Sequence, residues 1–514
     1  MADFFLVFDI GTSGVKAGIV SASGEVVATA SREYPSLYPG PQWVEQSVDE
    51  IWQGQCAAAK ELLAKSDIPA AEIAAIAISC QRATYVPVDK DERPLTNYIG
   101  WQDKRSTAQC DRMRSQIGDD RYYRIAGLPI EPTAAVSKIM WLKENRPDIF
   151  DKAHKFYSTQ NMHLHQLGVE NAPCDLPDAS YMGLLDVNNL QWSSSLLDEL
   201  GIPADKMPEL VPSCQVVGEV SKEAAEQTGL AAGTPLVTAG GDLQVGGLGL
   251  GVAKPGVVSM AMGTGAGVIF YLDKPVLHPA RSMGCLAHTV PGAWEMEGIC
   301  LASGGAHKWF RDVLAGAEKQ AAATFGISAF DILNLEASEV PPGSNGLIVM
   351  PCLAGAGAPF WYPQARGVIM GLTLGTTKQD LARAVMEGIT LELSNIVESA
   401  REIGVQVEEV RVFGGASKSR VWNQISADIY GVPVYTSKVH DAGLIGGAIC
   451  AAVGTNFFAN AAEGADAMVN LGERFEPNLQ VHEQYAEISS VYRDAFKVLK
   501  EAGIFERMAS QHCQ

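Results

Sequence analysis

Near its start the chain runs Phe4-Phe5-Leu6-Val7-Phe8 into Asp9-Ile10-Gly11-Thr12-Ser13-Gly14, then on through Val15-Lys16-Ala17-Gly18-Ile19-Val20. Two β-prone runs joined by a Gly/Thr/Ser turn form a hairpin that can aim backbone N–H groups and two hydroxyls at an anion. Asp9, at the strand end, can hold a hydrated Mg²⁺. A Walker loop or a dinucleotide fingerprint requires a helix directly after the glycines, whereas residues 15–20 are β-prone and Ser21-Ala22-Ser23-Gly24 turns into a third strand over 25–31. Taken alone, such a turn is more often an ordinary hairpin with no ligand.

The same design returns downstream, where 256–262 leads into Gly263-Thr264-Gly265-Ala266-Gly267 and a further β-prone run over 268–271. Each hairpin is followed by alternating helical and strand-like stretches. The expectation is two similar α/β domains facing each other across a cleft that clamps a nucleotide. Between them lies Thr238-Ala239-Gly240-Gly241-Asp242-Leu243-Gln244, a strand end with one carboxylate on a Gly-rich turn. Glycines admit close backbone approach and a carboxylate there can accept a proton, although a lone Gly-Gly-Asp is more often a turn with a capping Asp, so its weight comes from position and company. In Arg411-Val412-Phe413-Gly414-Gly415-Ala416-Ser417-Lys418-Ser419, the glycines leave room for a flat purine. Ser419 can bond that purine or cap the helix behind it, and capping is favoured. Ser303-Gly304-Gly305-Ala306 precedes Lys308-Trp309-Phe310, an aromatic pair that reads as core.

Apolar spacing and Ser/Thr/Asp/Gly punctuation predict helices over 48–65, 104–117, 134–145, 219–228, 304–316, 378–402, 419–430, 442–453 and 480–502. Strands are expected over 73–79, 86–89, 235–239, 347–351, 409–413 and 432–436. The domain boundary is expected at 248/249, giving domains 1–248 and 249–514, within Gly247-Leu248-Gly249-Leu250-Gly251. Those glycines fit either a hinge or tight packing.

At 514 residues, 47% hydrophobic and 19% charged, the chain can bury two sizeable cores. A net charge of −20 argues against nucleic acid or an anionic membrane as partner. The ten cysteines include no Cys-x-x-Cys pair, and several, such as Cys80 and Cys450, fall in apolar runs. They read as reduced thiols of a cytoplasmic protein. No basic leader precedes the first strand, and Lys254, Pro255 and many glycines break the most apolar stretch, 245–270, so neither a signal peptide nor a membrane span is expected.

These residues resemble the FGGY family of carbohydrate kinases, of the sugar kinase/actin/chaperone ATPase superfamily, over nearly the whole length. The most specific match is Gly367-Val368-Ile369-Met370-Gly371-Leu372, followed after seven residues by Asp380-Leu381-Ala382-Arg383-Ala384-Val385-Met386-Glu387. The resemblance implies two actin-like (ribonuclease H-like) α/β domains, each with a central mixed sheet, and an ATP cleft between them. It implies ATP and Mg²⁺, with Asp9 as the metal-associated acid and Gly11, Thr12, Ser13 and Lys16 at the phosphates. Asp242 matches the general base, and Gly263, Thr264 and Gly265 the second phosphate loop. Gly304, Lys308, Gly414, Gly415 and Ser419 fall where the nucleotide is held. On the sugar side stand Gln81, Arg82 and the Trp-x-Asp-x-Arg element Trp101, Asp103 and Arg105. A homodimer is implied by resemblance alone.

Within the family the chain is most similar to xylulose kinases, which implies transfer of the γ-phosphate of ATP to a pentulose such as D-xylulose. Departures are Arg82-Ala83 where xylulose kinases show Met-His, with Arg82 alone fitting the Arg-Glu of glycerol kinases. Others are Ala356-Gly357-Ala358-Pro359 for Glu-Arg-Thr-Pro, and Gln160-Asn161 for a usual Lys-Asp. Asp242-Leu243-Gln244 and the glycines after it also resemble kinases of a dihydroxypentanedione signal, which keeps another ketose, a polyol or that signal open as acceptor. A catalytically silent sugar- or nucleotide-binding sensor and an actin-like ATPase are the rivals of other classes. Together Asp9, Thr12, Asp242 and Gly265 argue against the sensor, and the C-terminal signature against the ATPase.

Overall fold

The computed structural model describes residues 4–439 and 441–510; Cys513 lies outside them. Contacts divide the chain into two units. Unit 1 comprises 1–254, 271–296 and 441–470, and unit 2 comprises 255–270, 297–440 and 471–514. The first crossing lies between Lys254 and Pro255. The return of 441–470 to unit 1 has no counterpart in a boundary drawn once along the sequence.

The sheet of unit 1 is built from β1 (Phe4–Ile10), β2 (Gly14–Ser21), β3 (Val26–Glu33), β4 (Ile73–Cys80), β5 (Val216–Glu219) and β6 (Pro235–Gly241), in the order β5-β6-β4-β1-β2-β3. β1 pairs antiparallel with β2 and parallel with β4; β4 is parallel to β6, which β5 flanks antiparallel. The second sheet has seven strands, the edge strand Gly284–Ala287 followed by β9 (Trp294–Cys300), β8 (Ala266–Leu272), β7 (Gly256–Met262), β10 (Val407–Phe413), β11 (Val434–Ser437) and β12 (Leu471–Phe475), in that order. Here β7 pairs antiparallel with β8 and parallel with β10, β10 is parallel to β11, and β12 flanks β11 antiparallel. The two mixed sheets therefore share one plan. In each, an opening hairpin sits at the centre and its first strand leads into parallel neighbours. Helices cross over between parallel strands because a parallel pair cannot be joined by a tight turn.

β1 is almost continuously apolar because both its faces are covered. Leu6, Phe8 and Ile10 pack in a cluster with Ile51, Ala58, Ala59 and Leu62 of the helix Val48–Ser66. On the other face Val7 meets the helix Ala442–Gly454, where a Cβ on Gly447 would lie 2.4 Å from Val7 Cγ1.

A short helix, Asp242–Leu248, follows β6 directly. Asp242 is thus its first residue rather than part of an open turn. Gly249 serves packing: a Cβ on it would fall 1.8 Å from the Ala442 carbonyl, and one on the facing Gly446 1.8 Å from the Val245 carbonyl. This gives a test with an unusual sign. Gly→Ala inside a helix ordinarily stabilises by about 1 kcal/mol, but Gly446→Ala drives a methyl into backbone that cannot move aside. The expected net result is destabilisation by about 2–3 kcal/mol, read as a lowered urea midpoint.

The long helices 378–402 and 420–430 form as expected, each opened by a capping side chain. Thr377 and Asp380 make a reciprocal capping box, and Ser419 accepts from Trp422 N. Unforeseen short helices include Asp119–Ala126, Thr159–Leu167 and Leu176–Met182. No helix among the described residues is long and apolar enough to cross a membrane.

Candidate active site

The two glycine turns are held by one principle. In unit 1 the carbonyls of the first turn are bound from behind. Gly11 O accepts from Tyr34 Oη at 2.5 Å, and Thr12 O from Gln46 Nε2 at 2.6 Å. In unit 2 Gly263 O accepts from Gly304 N at 2.9 Å, and Thr264 O accepts from Ser303 N at 3.0 Å and Gly305 N at 2.9 Å. A trans peptide points its C=O and N–H in opposite directions. Anchoring those carbonyls therefore turns the N–H groups of Thr12 and Ser13, and of Thr264 and Gly265, away from the scaffold, as an oxyanion cradle needs. Ser13, Gly263 and Thr264 are exposed. Gly304 serves this scaffold: its own N–H is spent on Gly263 O, and a Cβ there would lie 2.5 Å from that oxygen. Gly304→Ala is expected to leave unit 1 folded and weaken Mg·ADP binding about tenfold or more by pushing the turn out of register, measured by calorimetry.

Around the first turn unit 1 gathers its candidate residues. Trp101, about two-fifths exposed, donates through Nε1 to Thr12 Oγ1 at 2.9 Å. Gln81 is buried and donates to Gln46 Oε1 at 2.7 Å, so it steadies the turn through Gln46. Asp103 is fully buried, with its carboxylate engaged by Val44 N at 2.6 Å and Arg105 at 2.8–2.9 Å. Arg105 in turn stacks at 4.0 Å over Trp43 and reaches Glu45 at 2.8 Å. Asp103 and Arg105 therefore lock the loop that presents Trp101.

Arg82 is nearly buried. Its Nε lies 3.7 Å from Asp242 Oδ1, its Nη1 3.4 Å from Gln244 Oε1, and its guanidinium carbon 4.1 Å over the Tyr181 ring. Gly241 makes room for it, since a Cβ there would sit 2.3 Å from the Arg82 stem. The Asp242 side chain keeps 41% exposure, so its carboxylate can be reached by a hydroxyl.

Asp9, facing Lys16 across the β1/β2 ladder, is pushed up to about 6 by burial first and then by the charge of Asp242, against the opposing pull of Lys16 and a 3.4 Å bond from Ser79. Lys16 itself is paired with Asp441. Excess negative charge at Asp9 and Asp242 fits a hydrated divalent cation. Among the described residues no group of three or more His, Cys, Asp or Glu side chains is arranged to hold a metal. Mg²⁺ is generally bound through one or two carboxylates, its shell completed by water and phosphate oxygens.

In unit 2, Gly414 has φ +103°, and a Cβ on it would lie 2.5 Å from Met262 O, which seats this turn against the end of β7. Gly415 faces open space, and beside it a cavity of about 220 Å³ is lined by Phe413, Gly414, Ser417, Lys418, Asn423 and Thr436. Ser419 caps its helix and donates to Asn334 at 2.7 Å. On the helix Gly304–Leu314, Lys308 is exposed. The neighbouring aromatic pair divides: Phe310 is core, whereas Trp309 is 40% exposed.

Residues 4–249 match the N-terminal domain and residues 258–455 the C-terminal domain of the FGGY family of carbohydrate kinases. The chain belongs to that family. Gluconokinase of Bacillus subtilis (strain 168) is 31% identical over 450 residues, 87% of each chain. Glycerol kinase of Trichlorobacter lovleyi is 32% identical over 94% of this chain and 96% of its own. The crystal structure of xylulose kinase from Rhodospirillum rubrum superposes with a TM-score of 0.88 at 26% identity, covering 98% of this chain and all of that one. This FGGY kinase is therefore a phosphotransferase with an alcohol acceptor, of a family that uses ATP and a sugar. Its actin-like α/β fold is that of its relatives, which themselves carry three different acceptor names.

Sequence reading missed Tyr181, Gln244 as an Arg82 partner, and Asp441. The helix carrying Tyr181 was signalled locally by Asp175 as N-cap and Pro177 in its first turn. Nothing local signals Asp441, whose partner is 425 residues away.

Proposed function

We propose that the enzyme transfers the γ-phosphoryl group of ATP to a terminal hydroxyl of a pentulose such as D-xylulose, with Asp242 as general base. The observation that supports this most is the accessible Asp242 carboxylate held between Arg82 and the charge field of Asp9. A sugar hydroxyl is far too weak an acid to ionise at neutral pH. Asp242 accepts its proton as the oxygen attacks phosphorus, a contribution of about 10²–10⁴-fold. The Thr12 and Ser13 N–H groups and Lys16 stabilise the charge of the transferring group, the Thr264 and Gly265 N–H groups of the second turn form an anion cradle of their own, and the exposed face of Trp101 supports the sugar's carbons. Mg²⁺, held near Asp9 through its hydration shell, neutralises phosphate charge when bound. The adenosine part occupies the cavity beside Gly414 and Gly415, with Lys308 close to the phosphates. The nine described cysteines are all free thiols, which suits a cytoplasmic enzyme.

A second reading of the acceptor rests on Arg82. A buried guanidinium beside the base reads hydroxyl or carbonyl oxygens differently from the Met-His of xylulose kinases, which favours glycerol, another polyol or ketose, or dihydroxypentanedione. Coupled ADP release across gluconate, D-xylulose, D-ribulose, other ketoses, polyols, glycerol and dihydroxypentanedione decides between the two. D-xylulose raising turnover far above a no-acceptor control supports the first reading, while preference for another acceptor replaces it.

A further inference from the structure

Lys16 extends from β2 directly across the ladder from Asp9, yet its ammonium is bonded to Asp441. Asp441 stands at the N-cap position of the helix Ala442–Gly454, but its side chain accepts no N–H from that helix; only its backbone carbonyl does, from Leu444 N at 3.1 Å and Ile445 N at 3.5 Å. Its carboxylate is therefore free of the local role an Asp usually takes there. The same helix start lies over the first turn's acid: a Cβ on Gly443 would sit 3.6 Å from Asp9 Oδ2. A lysine has a flexible four-carbon stem, and unrestrained it would sample many positions around an anion. Lys16 and Asp441 are each about one-third exposed, so the pair is open to an incoming phosphate.

We propose that Asp441 is a positioning residue for phosphoryl transfer, which holds the Lys16 ammonium beside the first turn through one N–H and leaves its other N–H groups for phosphate oxygens. This rests on the kinase reading above. Asp441 touches neither substrate nor the reacting atoms. Its effect on ground-state nucleotide binding is small, because the pair is partly exposed and screened, while its effect on the orientation of Lys16 is felt in turnover.

The test compares wild type, Asp441→Asn and Asp441→Glu. Steady-state kinetics use the acceptor with the highest turnover, and calorimetry uses Mg²⁺ with a non-hydrolysable ATP analogue. Expected for Asp441→Asn is a kcat about tenfold lower, with analogue affinity within about threefold of wild type. Asp441→Glu is expected to recover most of kcat. An unchanged kcat in Asp441→Asn overturns the inference. So does a fall in kcat that tracks a fall in thermal midpoint and that Asp441→Glu does not rescue, since that is loss of structure. Wild-type protein that binds the analogue but shows no acceptor-dependent turnover overturns the kinase reading and the inference with it.

Discussion

Asp242→Asn is expected to abolish phosphoryl transfer while leaving the protein folded. The substitution keeps the shape of the side chain and its acceptor oxygen for Leu243 N, which lies 2.9 Å from Asp242 Oδ1. It removes the only property the chemistry requires, the capacity to take a proton. Loss of a general base costs about 10²–10⁴-fold, and an amide beside Arg82 also loses the charge that pairs with the guanidinium. The expected kcat is therefore at least about a thousandfold below wild type, with a urea midpoint close to wild type. A well-folded variant with near-native kcat would remove Asp242 from the mechanism.

Arg82→Met is expected to have the next largest effect, and on the acceptor alone. Arg82 is stacked on Tyr181, threaded past Gly241 and placed between Asp242 and Gln244. Methionine fills much of the same volume but offers no donors, so acceptor oxygens lose their charged partner. Hydrogen bonds to charged groups contribute about 1.5–3 kcal/mol, which corresponds to roughly 10- to 100-fold in kcat/KM for the acceptor. KM for ATP is expected to stay within about twofold. Relative activity across acceptors carries further information. A variant that gains on D-xylulose relative to other acceptors would identify Arg82 as the residue that turns xylulose away. Uniform loss would make Arg82 a general anchor, and no loss at all would place it outside the acceptor site.

Much of this arrangement is written locally in the chain. The hairpin turns follow from short Gly/Thr/Ser runs between β-prone segments, and helices such as 48–66 and 378–402 follow from apolar period and capping residues, which act over a few positions. The repeated hairpin also announced two sheets of one plan. What stayed hidden depends on distance in sequence. Nothing near Gly446 tells that its Cα faces the Val245 carbonyl, and nothing near Asp103 tells that both its oxygens are consumed by Arg105 and Val44. The carbonyl anchors of the two turns are equally non-local. Tyr34 and Gln46 lie well past the first turn, and the helix start at 303–305 lies about forty residues past the second. The acceptor remains the least legible property. The relatives that share the fold carry three different acceptor names.

The central claim is that phosphorus leaves ATP for an acceptor hydroxyl under the control of Asp242. ³¹P NMR of the complete reaction, with Mg·ATP and the acceptor panel, tests it directly. The account predicts a new phosphomonoester resonance growing in step with ADP for one acceptor, absent with Asp242→Asn. Inorganic phosphate as the sole product, or the same phosphomonoester formed at a wild-type rate by Asp242→Asn, would contradict it.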